Sequence, residues 1–471
     1  TWWQVSYTTG VSGWSAETYL TAASTSSTAP TSTTSTISSL PAGHWYAVPN
    51  SNLTAVAPSP YDSRVLNVVT AWSGGTFDTN SDSLIVWGGG HGDYWGNEIY
   101  SFNVDTLKWT RLTDPYLPAQ NYAFGTGAAV NPDGTPDSRH SYGGLAYLPN
   151  QNALWLTGGS TWRSGNGTAS TMEFNFGTSQ WNSVANSPQG TTDLSSAYDP
   201  VTGNVYAYWC GWLWEYSPSS NTWSTKTQGP CYSDGIVSAI DPVHQKMIII
   251  GNGQAFIYDI AHGGGIQNLS ATGAGASAMM NAYAPGLAYD SAIGELVGWA
   301  GGGSVYALDL SGAQPTWKDV SAVSSNTVSP PATSAHGTYG RWQYAPSVNA
   351  FVVVNGADQN VYFYKVSSGG GSITPTPTPT PTPQPSTPAP TLSLSASPTT
   401  VSSGGSTTLT WSTTNATACT ASGAWSGSQA TSGSQTLTNL QSSATYTLSC
   451  TGTGGSTSQS TSVSVTAAPV P

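Results

Sequence analysis

Residues 84–112 read LIVWGGGHGDYWGNEIYSFNVDTLKWTRL, and this stretch carries the pattern that decides the fold. An apolar run, Leu84–Trp87, ends in three glycines, a tyrosine-rich segment follows, and the segment after that contains Trp109. Short runs of aliphatic and aromatic residues, separated by Gly, Asn and Asp, are typical of β-strands joined by turns. The glycines are not expected to form a phosphate-binding loop, because no helical pattern follows them. The stretch therefore predicts consecutive antiparallel strands of one small sheet.

The same unit recurs along the chain as an apolar strand, a turn, a second strand ending in Gly-rich sequence, a Tyr-rich third strand and a Trp-bearing fourth. Its period of roughly 40–50 residues is typical of a β-propeller blade. In these features residues 43–367 resemble the kelch-repeat family, including its secreted, galactose-oxidase-like branch. The resemblance implies a propeller and is nearly silent about function. The further copies are residues 145–184, 196–226, 238–260, 287–320 and 342–366.

The sequence at the two ends of the repeat region indicates how the ring of propeller blades is closed. The last copy, which ends at Val366, lacks a fourth strand, and Gly43–Asn50 (GHWYAVPN) supplies one that would remove the exposed edges of the ring. We therefore expect six blades, with seven as the alternative if the first 40 residues contain another. The Ser/Thr-rich N-terminal arm, residues 1–42, is expected to lie on the propeller, or else to donate a strand to a neighbouring molecule.

Two further segments follow the repeats. Residues 368–390 are rich in Gly and then in alternating Thr-Pro, which favours extended polyproline II and predicts a semi-rigid linker. Residues 391–471 contain short alternating runs and resemble bacterial Ig-like modules through TLTWSTTNATACTASG (408–423) and TYTLSC (445–450). That resemblance implies a spacer or surface-attachment role. The expected fold is all-β, a six-bladed (alternatively seven-bladed) kelch-type propeller plus a small C-terminal Ig-like β-sandwich.

Composition limits the classes of protein that this chain can belong to. Only 7% of its 471 residues are charged and the net charge is -12, which argues against a coiled coil and a generic nucleic-acid binder. No apolar run approaches the roughly 20 residues that span a bilayer. Thr1 suggests a mature product whose export signal has been removed. The even number of cysteines fits an oxidising compartment, so a secreted, extracellular or cell-surface protein is expected, with the pairs Cys210–Cys231 and Cys419–Cys450.

The scarce cationic residues predict where a ligand would bind. In a four-stranded blade, the approach to the first strand and the loop between the second and third strands lie on one face of the ring. Most arginines and half of the histidines fall in these segments, while the lysines lie elsewhere. The candidate catalytic residues are His91, His140, His336, Tyr339 and Arg341; the candidate ligand-binding residues are Asp93, Tyr94, Trp95, Asn97, Glu98, Arg139, Tyr142, Arg163, Trp212 and Trp342.

These residue types suit a polysaccharide or other glycan that carries carboxylate or sulfate groups. Guanidinium groups bind carboxylates in a bidentate manner, and flat aromatic rings stack on sugars. One chemistry that fits is β-elimination on an acidic polysaccharide, in which Arg neutralises the carboxylate while His or Tyr transfers the proton. Structural roles are the alternatives: Glu98 bonded to neighbouring backbone N–H groups, or Arg139 and Arg341 bridging adjacent blades through carboxylates such as Asp93 or Glu98.

Other reactions fit the sequence less well. A glycoside hydrolase needs a carboxylate pair, for which Asp93, Glu98, Asp193 and Asp234 are available without one standing out. The resemblance to galactose oxidase would imply a Tyr-linked cysteine, but the repeat region's cysteines are expected to be paired. We expect no particular cofactor, with a divalent metal at the histidine cluster as an option. The alternative function is a non-enzymatic adhesin, or a subunit of a surface appendage or filament that self-assembles through the arm or the Ig-like module.

Overall fold

The computed structural model of the chain divides into two compact units, Thr1–Gly371 and Ser372–Pro471. Both are built almost entirely from antiparallel sheets, most of the larger ones in the first unit having four strands, so the all-β prediction is confirmed. No described helix is long and apolar enough to cross a membrane. The structure describes residues 2–6, 12–16, 33–117, 128–229, 231, 234–367, 390–452 and 455–466. The predicted linker lies outside the described residues except for its last position, residue 390. Most of the N-terminal arm also lies outside them.

The first unit begins with short elements. Two short strands, β1 (Trp2–Ser6) and β2 (Ser12–Ala16), pair antiparallel. Among the described residues of this unit, 3-10 helices span Leu53–Val56, Ser63–Leu66 and Pro346–Val348. The N-terminal elements are β1 (Trp2–Ser6), β2 (Ser12–Ala16), α1 (Thr33–Ser38), β3 (His44–Ala47) and α2 (Asn67–Thr70).

Three sheets follow in chain order, each of four antiparallel strands. The first contains β4 (Gly74–Asp78), β5 (Ser83–Trp87), β6 (Tyr100–Asn103) and β7 (Lys108–Arg111). The second contains β9 (Leu145–Leu148), β10 (Ala153–Thr157), β12 (Thr171–Asn175) and β13 (Gln180–Ser183), beside the short pair β8 (Arg139–His140) and β11 (Ser160–Thr161). The third contains β14 (Ser195–Tyr198), β15 (Val205–Trp209), β16 (Trp212–Ser217) and β17 (Thr222–Gln228).

The remaining three sheets of the first unit continue this pattern. The fourth contains β18 (Val237–Asp241), β19 (Lys246–Gly251), β20 (Gln254–Asp259) and β21 (Gln267–Asn268). The fifth contains β22 (Thr272–Gly273), β23 (Gly286–Asp290), β24 (Glu295–Trp299), β25 (Val305–Asp309) and β26 (Thr316–Asp319), with α3 (Ala276–Asn281) before β23. The sixth contains β27 (Trp342–Ala345), β28 (Ala350–Val353) and β29 (Tyr362–Lys365), and its outer strand is β3.

The first strands of the six sheets contact one another in a closed cycle, β4–β9–β14–β18–β23–β27–β4. Backbone hydrogen bonds join several neighbours in this cycle, among them Tyr142 N to Trp72 O at 2.7 Å and Gly75 N to Tyr339 O at 3.1 Å. The second strands are buried on both faces because they lie between neighbouring sheets, as in β5 and β10. This arrangement is compatible with a propeller-like fold.

The C-terminal unit consists of two sheets around a separate small core. The strands of this unit are β30 (Thr391–Ser397), β31 (Thr400–Ser402), β32 (Gly405–Thr414), β33 (Ala418–Gly423), β34 (Gly427–Gln429), β35 (Ser432–Leu440), β36 (Ala444–Gly452) and β37 (Gly455–Thr466). Trp411, Trp425 and Tyr446 fill the core beside the disulfide Cys419–Cys450. Both predicted disulfides are confirmed, the other being Cys210–Cys231 in the first unit. In the C-terminal unit, one sheet has the order β30–β32–β35 and the other β31–β37–β36–β33–β34.

Candidate functional site

Three aromatic residues with strained backbones lie at the entries to neighbouring innermost strands. Trp72, Tyr142 and Tyr339 have φ values of 46°, 46° and 44°, in the left-handed region that bulky residues rarely adopt. Each precedes an innermost strand by two or three residues, so the three lie at the same end of β4, β9 and β27. Strained conformations of this kind cost about 1–3 kcal/mol each and concentrate at functional sites. This end of the innermost strands is therefore the candidate site.

Three histidines from different segments converge around the half-buried Trp72. The rings of Trp72 and His336 are stacked, with centroids 3.6 Å apart and planes at 20°. The ring of His140 lies 4.8 Å from Trp72 on centroids, and His91 lies 4.7 Å from His140. The structure thus brings together the three histidines that the sequence analysis selected. We call the following residues the histidine–aromatic cluster: Trp72, His91, Asp93, His140, Tyr142, Asp193, Asp234, Tyr283, His336 and Tyr339.

His140 is the buried centre of this cluster, with 1% of its surface exposed. Its Nε2 lies 2.7 Å from Oδ2 of Asp93, and its Nδ1 lies 3.4 Å from the hydroxyl of Tyr142. Because the Asp93 carboxylate accepts a hydrogen bond, this contact favours the His140 tautomer that carries its proton on Nε2. Burial lowers the pKa of His140 to about 4, against the opposing effect of Asp93. At neutral pH His140 is therefore uncharged, and its Nδ1 is an acceptor facing Tyr142.

The hydroxyl of Tyr142 has further polar neighbours. It lies 3.2 Å from Oγ of Ser160, and the nearby carboxylate of Asp193 acts on it electrostatically. Burial, followed by Asp193, raises the pKa of Tyr142 well above its usual value, so the group is a neutral phenol at neutral pH. Burial also raises the pKa of Asp193, with repulsion from Asp234 as the second cause. The cluster therefore contains a phenol, an imidazole acceptor and carboxylates within one hydrogen-bonded region.

Tyr283 and Asp234 form the other side of the cluster. The indole N–H of Trp72 donates to the Tyr283 hydroxyl at 3.0 Å, and this hydroxyl donates to Oδ1 of Asp234 at 2.6 Å. Burial, with the Asp234 hydrogen bond next, raises the pKa of Tyr283 to about 12. Tyr339 is buried and its hydroxyl lies 3.5 Å from that of Tyr283. Trp72 and Tyr283 are only half-buried, and together they form an aromatic surface bordered by carboxylates.

The glycine-rich loop after β5 shapes the wall of the cluster. A Cβ atom at Gly90, whose φ is +101°, would collide with the His140 imidazole. His91 is exposed, and its carbonyl accepts the backbone N–H of Arg163 at 2.6 Å. Of the three arginines predicted to belong to the site, Arg163 is the one that is only half-buried, and it lies beside His91. The glycine at position 90 is thus required for the close approach of His140.

Arg139 and Arg341 lie in the interior, contrary to the expected ligand-facing position. Both are fully buried. Arg139 donates to the carbonyl oxygens of Gly158 at 3.0 Å and Ala129 at 2.6 Å, and Arg341 to those of Val69, Ser73 and Gly337 at 2.6, 3.1 and 2.6 Å. Burial lowers the pKa of Arg341 to about 9. These guanidinium groups satisfy carbonyls of irregular segments, and neither is offered to a ligand or bridges blades through Asp93 or Glu98.

The aromatic residues predicted to face a ligand also fall mostly in the core. Trp342 is fully buried, stacks on Phe351 with centroids 4.5 Å apart and donates to the Val297 carbonyl. Tyr94 and Trp95 are buried in the core beneath the first and sixth sheets. Trp212 on β16 is half-buried beside Trp214, and no described contact joins it to the histidine–aromatic cluster. Apolar packing between sheets explains all four positions.

Asn97 and Glu98 are buried and serve local structure. Asn97 donates to the carbonyl of Pro136 at 2.8 Å and accepts the backbone N–H of Tyr116 at 2.8 Å. Glu98 accepts hydrogen bonds from the hydroxyls of Tyr94 at 2.5 Å and Tyr100 at 2.9 Å. Burial raises the pKa of Glu98 despite these hydrogen bonds. Neither side chain is therefore accessible to a glycan in this structure.

Several members of the cluster are not among the site residues predicted from the sequence, and a metal at the histidines is an option that the sequence leaves open. Trp72 and Tyr283 were not selected, although both lie two or three residues before an innermost strand, which is the signal that could have found them. Within the described ranges, no group of three or more His, Cys, Asp or Glu side chains is arranged to hold a metal ion. Of the three histidines, His140 has Nε2 engaged by Asp93, and His336 places Nδ1 2.9 Å from the carbonyl of Thr70. The cluster is best described as a site of hydrogen-bonding and aromatic groups.

Comparisons with known proteins do not identify a function for this site. No family model matches the chain, and no curated protein matches it. The solved structures that match include a structural genomics protein of unknown function from Bacteroides thetaiotaomicron VPI-5482. It is 12% identical, with 61% of this chain and 67% of that chain covered and a TM-score of 0.39. A likeness at this level supports no conclusion about the function of this chain.

Proposed function

We propose that the first unit is a six-bladed kelch-type β-propeller and that the C-terminal unit is an Ig-like sandwich of a secreted protein. The closed cycle of six innermost strands supports the propeller, as does β3, which gives the sixth sheet a fourth strand. The pair of sheets around Trp411 and the Cys419–Cys450 disulfide supports the Ig-like assignment. Two disulfides support export to an oxidising compartment.

We propose that this protein binds or acts on carbohydrate at the histidine–aromatic cluster. The observation that carries the proposal is the surface made by Trp72 and Tyr283, which are half-buried, joined by a hydrogen bond and bordered by Asp234. Flat aromatic faces stack on the C–H faces of sugar rings, while carboxylates accept the sugar hydroxyls. Convergent polar groups beside an apolar surface are typical of small-ligand sites.

Among enzymatic reactions, the cluster supports a lyase-type β-elimination on an acidic polysaccharide better than hydrolysis or copper-radical oxidation. A neutral imidazole beside a phenol is suited to accept and return one proton, which elimination requires. Since Arg139 and Arg341 are internal, the role of neutralising a uronate falls to Arg163, which lies next to His91. Both cysteines of the repeat region are paired, which leaves none for a Tyr–Cys cofactor.

The test is a glycan panel read in two ways. Polygalacturonate, alginate and hyaluronate, with neutral xylan and mannan, are titrated by calorimetry and followed by absorbance near 235 nm, which detects unsaturated uronates. We expect Trp72→Ala to abolish binding of the preferred glycan and Trp212→Ala, a matched tryptophan outside the cluster, to leave it unchanged. The absence of binding to every glycan, or equal effects of the two variants, would contradict the proposal.

The same panel distinguishes the non-enzymatic alternative. Binding that is lost in Trp72→Ala, together with no change in absorbance and no new reducing ends, would favour an adhesin. Filaments visible by electron microscopy would favour an appendage subunit.

A further inference from the structure

Asp93, His140 and Tyr142 form a chain of polar contacts that runs from a carboxylate through an imidazole to a hydroxyl. Glycan binding alone does not require such a chain. Asp93 Oδ2 lies 2.7 Å from His140 Nε2, and the opposite ring nitrogen, Nδ1, lies 3.4 Å from the Tyr142 hydroxyl. His140 is almost completely buried, whereas the Asp93 side chain is 37% exposed. A carboxylate, an imidazole and a hydroxyl in this order form the arrangement by which proteins orient a general base.

We propose that the Tyr142 hydroxyl is the proton-transferring group of this site, that His140 exchanges the proton with it, and that Asp93 is a positioning residue that fixes the tautomer of His140. This inference rests on the proposed carbohydrate function and deepens it, because it makes the site catalytic rather than only glycan-binding. The backbone of Tyr142 is strained, with φ at 46°, a conformation that persists only where the surrounding structure imposes it.

The proton balance of the step closes without a co-reactant. In an elimination on a uronate, the C5–H bond breaks, its proton passes to Tyr142 Oη, and the original phenolic proton passes to His140 Nδ1. The electron pair left at C5 forms the C4–C5 double bond while the C4–O bond breaks and its electrons leave on the glycosidic oxygen. His140 then returns its proton to Tyr142 as Tyr142 protonates that oxygen. The positive charge that forms briefly on His140 is stabilised by Asp93.

The groups facing His140 and Tyr142 determine the pH range in which the relay works. His91, His336 and Asp93 face His140, while Ser160 and Asp193 face Tyr142, together with the edge of the Tyr339 ring. The relay needs neutral His140 and protonated Tyr142. Because His140 has its pKa lowered to about 4, we expect turnover to persist to lower pH than an ordinary histidine base allows.

The first experiment compares binding with turnover on the glycan that the panel selects. Tyr142→Phe keeps the ring and its contact with Tyr339, and we expect it to retain glycan binding while kcat falls by about 10²–10⁴-fold. Asp93→Asn is expected to lower kcat and move the acidic limb of the pH profile, and Asp93→Glu is expected to restore part of the activity. Unchanged kcat in Tyr142→Phe would overturn the proposal, as would an unchanged pH profile in Asp93→Asn.

The second experiment needs no substrate. Long-range ¹H–¹⁵N spectra of the protein labelled at its six histidines report the tautomer of each ring, with His140→Gln as the assignment variant and His262→Gln, an exposed histidine, as the control. We expect His140 to carry its proton on Nε2 at pH 7 and to lose this preference in Asp93→Asn. A proton on Nδ1 in the unmodified protein would overturn the relay even if glycans bind. Failure of all glycans to bind, with the expected tautomer present, would instead contradict the carbohydrate function.

Discussion

The two units of this protein differ in whether their β-sheets contain charged side chains and histidines. Every Asp, Glu, Lys, Arg and His of the chain lies before residue 366, so the C-terminal unit, Ser372–Pro471, has none of them. The first unit buries ionisable groups, including Arg139, Arg341 and Glu98. Catalytic chemistry needs groups that gain or lose protons, and only the first unit has the buried and coupled ones. The first unit is therefore expected to respond to pH through its buried ionisable groups, and the C-terminal unit to respond little.

The outer surfaces of the sheets differ in the same way. In the first unit, outer strands carry ion pairs such as Lys226–Glu215 at 3.0 Å. In the C-terminal unit, β36 and β37 instead align three pairs of hydroxyls across the strands, with oxygen separations of 2.9, 2.8 and 2.9 Å. Hydroxyl pairs of this kind stabilise a sheet without charge. The stability of the C-terminal unit should therefore depend little on pH or salt.

The largest expected effect on stability comes from substitution of a buried arginine of the first unit. Arg341→Lys replaces a planar group that reaches three carbonyls on two segments by a single ammonium that cannot reach them all. We expect a loss of about 3–5 kcal/mol from the free energy of unfolding, because a buried charge and its carbonyl partners lose their contacts. Scanning calorimetry measures this as a lower first-unit transition, with the C-terminal transition unchanged.

Lys318→Arg is the control for that substitution, since it exchanges the same two residue types at a half-exposed position on β26. Its effect should stay within about 0.5 kcal/mol. Equal effects of Arg341→Lys and Lys318→Arg would show that the interior guanidinium does not stabilise the first unit.

The next largest effect concerns the covalent link within the C-terminal unit. A small core without ion pairs depends strongly on a cross-link, so removal of both Cys419 and Cys450 by alanine substitution should cost about 2–4 kcal/mol. The same change at Cys210 and Cys231, of which Cys231 is exposed, should lower the first-unit transition by a smaller amount. Urea titrations followed by tryptophan fluorescence give both values. A larger loss for the Cys210–Cys231 pair would contradict the comparison.

The stability of the two units should differ in its dependence on pH. Burial raises the pKa of Asp137 to about 7, against the favourable effect of Arg139, so the native state binds more protons than the unfolded state between about pH 4 and pH 7. The stability contributed by protonated Asp137 is therefore lost as the pH rises through this range, by at most about 1.4 kcal/mol for each step of one in pH. Asp137→Asn should reduce this loss.

The measurement is thermal unfolding of both proteins at pH 4, 5, 6 and 7. His140 acts in the opposite direction, since its lowered pKa makes stability rise with pH, but it is present in both proteins and cancels in the difference. The C-terminal transition is the internal control and should not move. Parallel pH curves for the two proteins would mean that Asp137 is not protonated in the native state.

The sequence predicts the sheets well because each repeat places strong strand formers where burial needs them. The apolar run of β5 and the tryptophan of β7 recur in other sheets, and the missing strand after Val366 points to Gly43–Asn50. The two cysteine pairs follow from spacing alone. These features are local or periodic, so that one chain is sufficient to find them.

The site could be predicted only in part. The convergence of His91, His140 and His336 could be predicted, because the loop after a second strand and the approach to a first strand lie on the same face of the ring, and the ring contacts place the three histidines together. The burial of Arg341 could not be predicted, because no pattern shows that the carbonyls of Val69 and Gly337 need a donor. The position of Trp72 before an innermost strand can be identified from the repeat, but its partial exposure cannot, because the sequence does not distinguish an aromatic side chain that enters the core from one that faces solvent. These outcomes depend on tertiary packing between segments distant in the chain.

The smallest expected effect is also the most direct measure of the contrast between the two surfaces. Double-mutant cycles on Lys226→Met with Glu215→Gln, and on Thr447→Ala with Ser460→Ala, should each give coupling energies of about 0.2–1 kcal/mol. Raising NaCl from about 0.05 M to about 0.5 M should weaken the first coupling, because salt screens exposed charges. The hydroxyl coupling, at an oxygen separation of 2.8 Å, should not change with salt. If both couplings fall together, the C-terminal sheet is not stabilised by uncharged hydroxyl pairs in the way proposed, and the two units would differ in composition but not in physical behaviour.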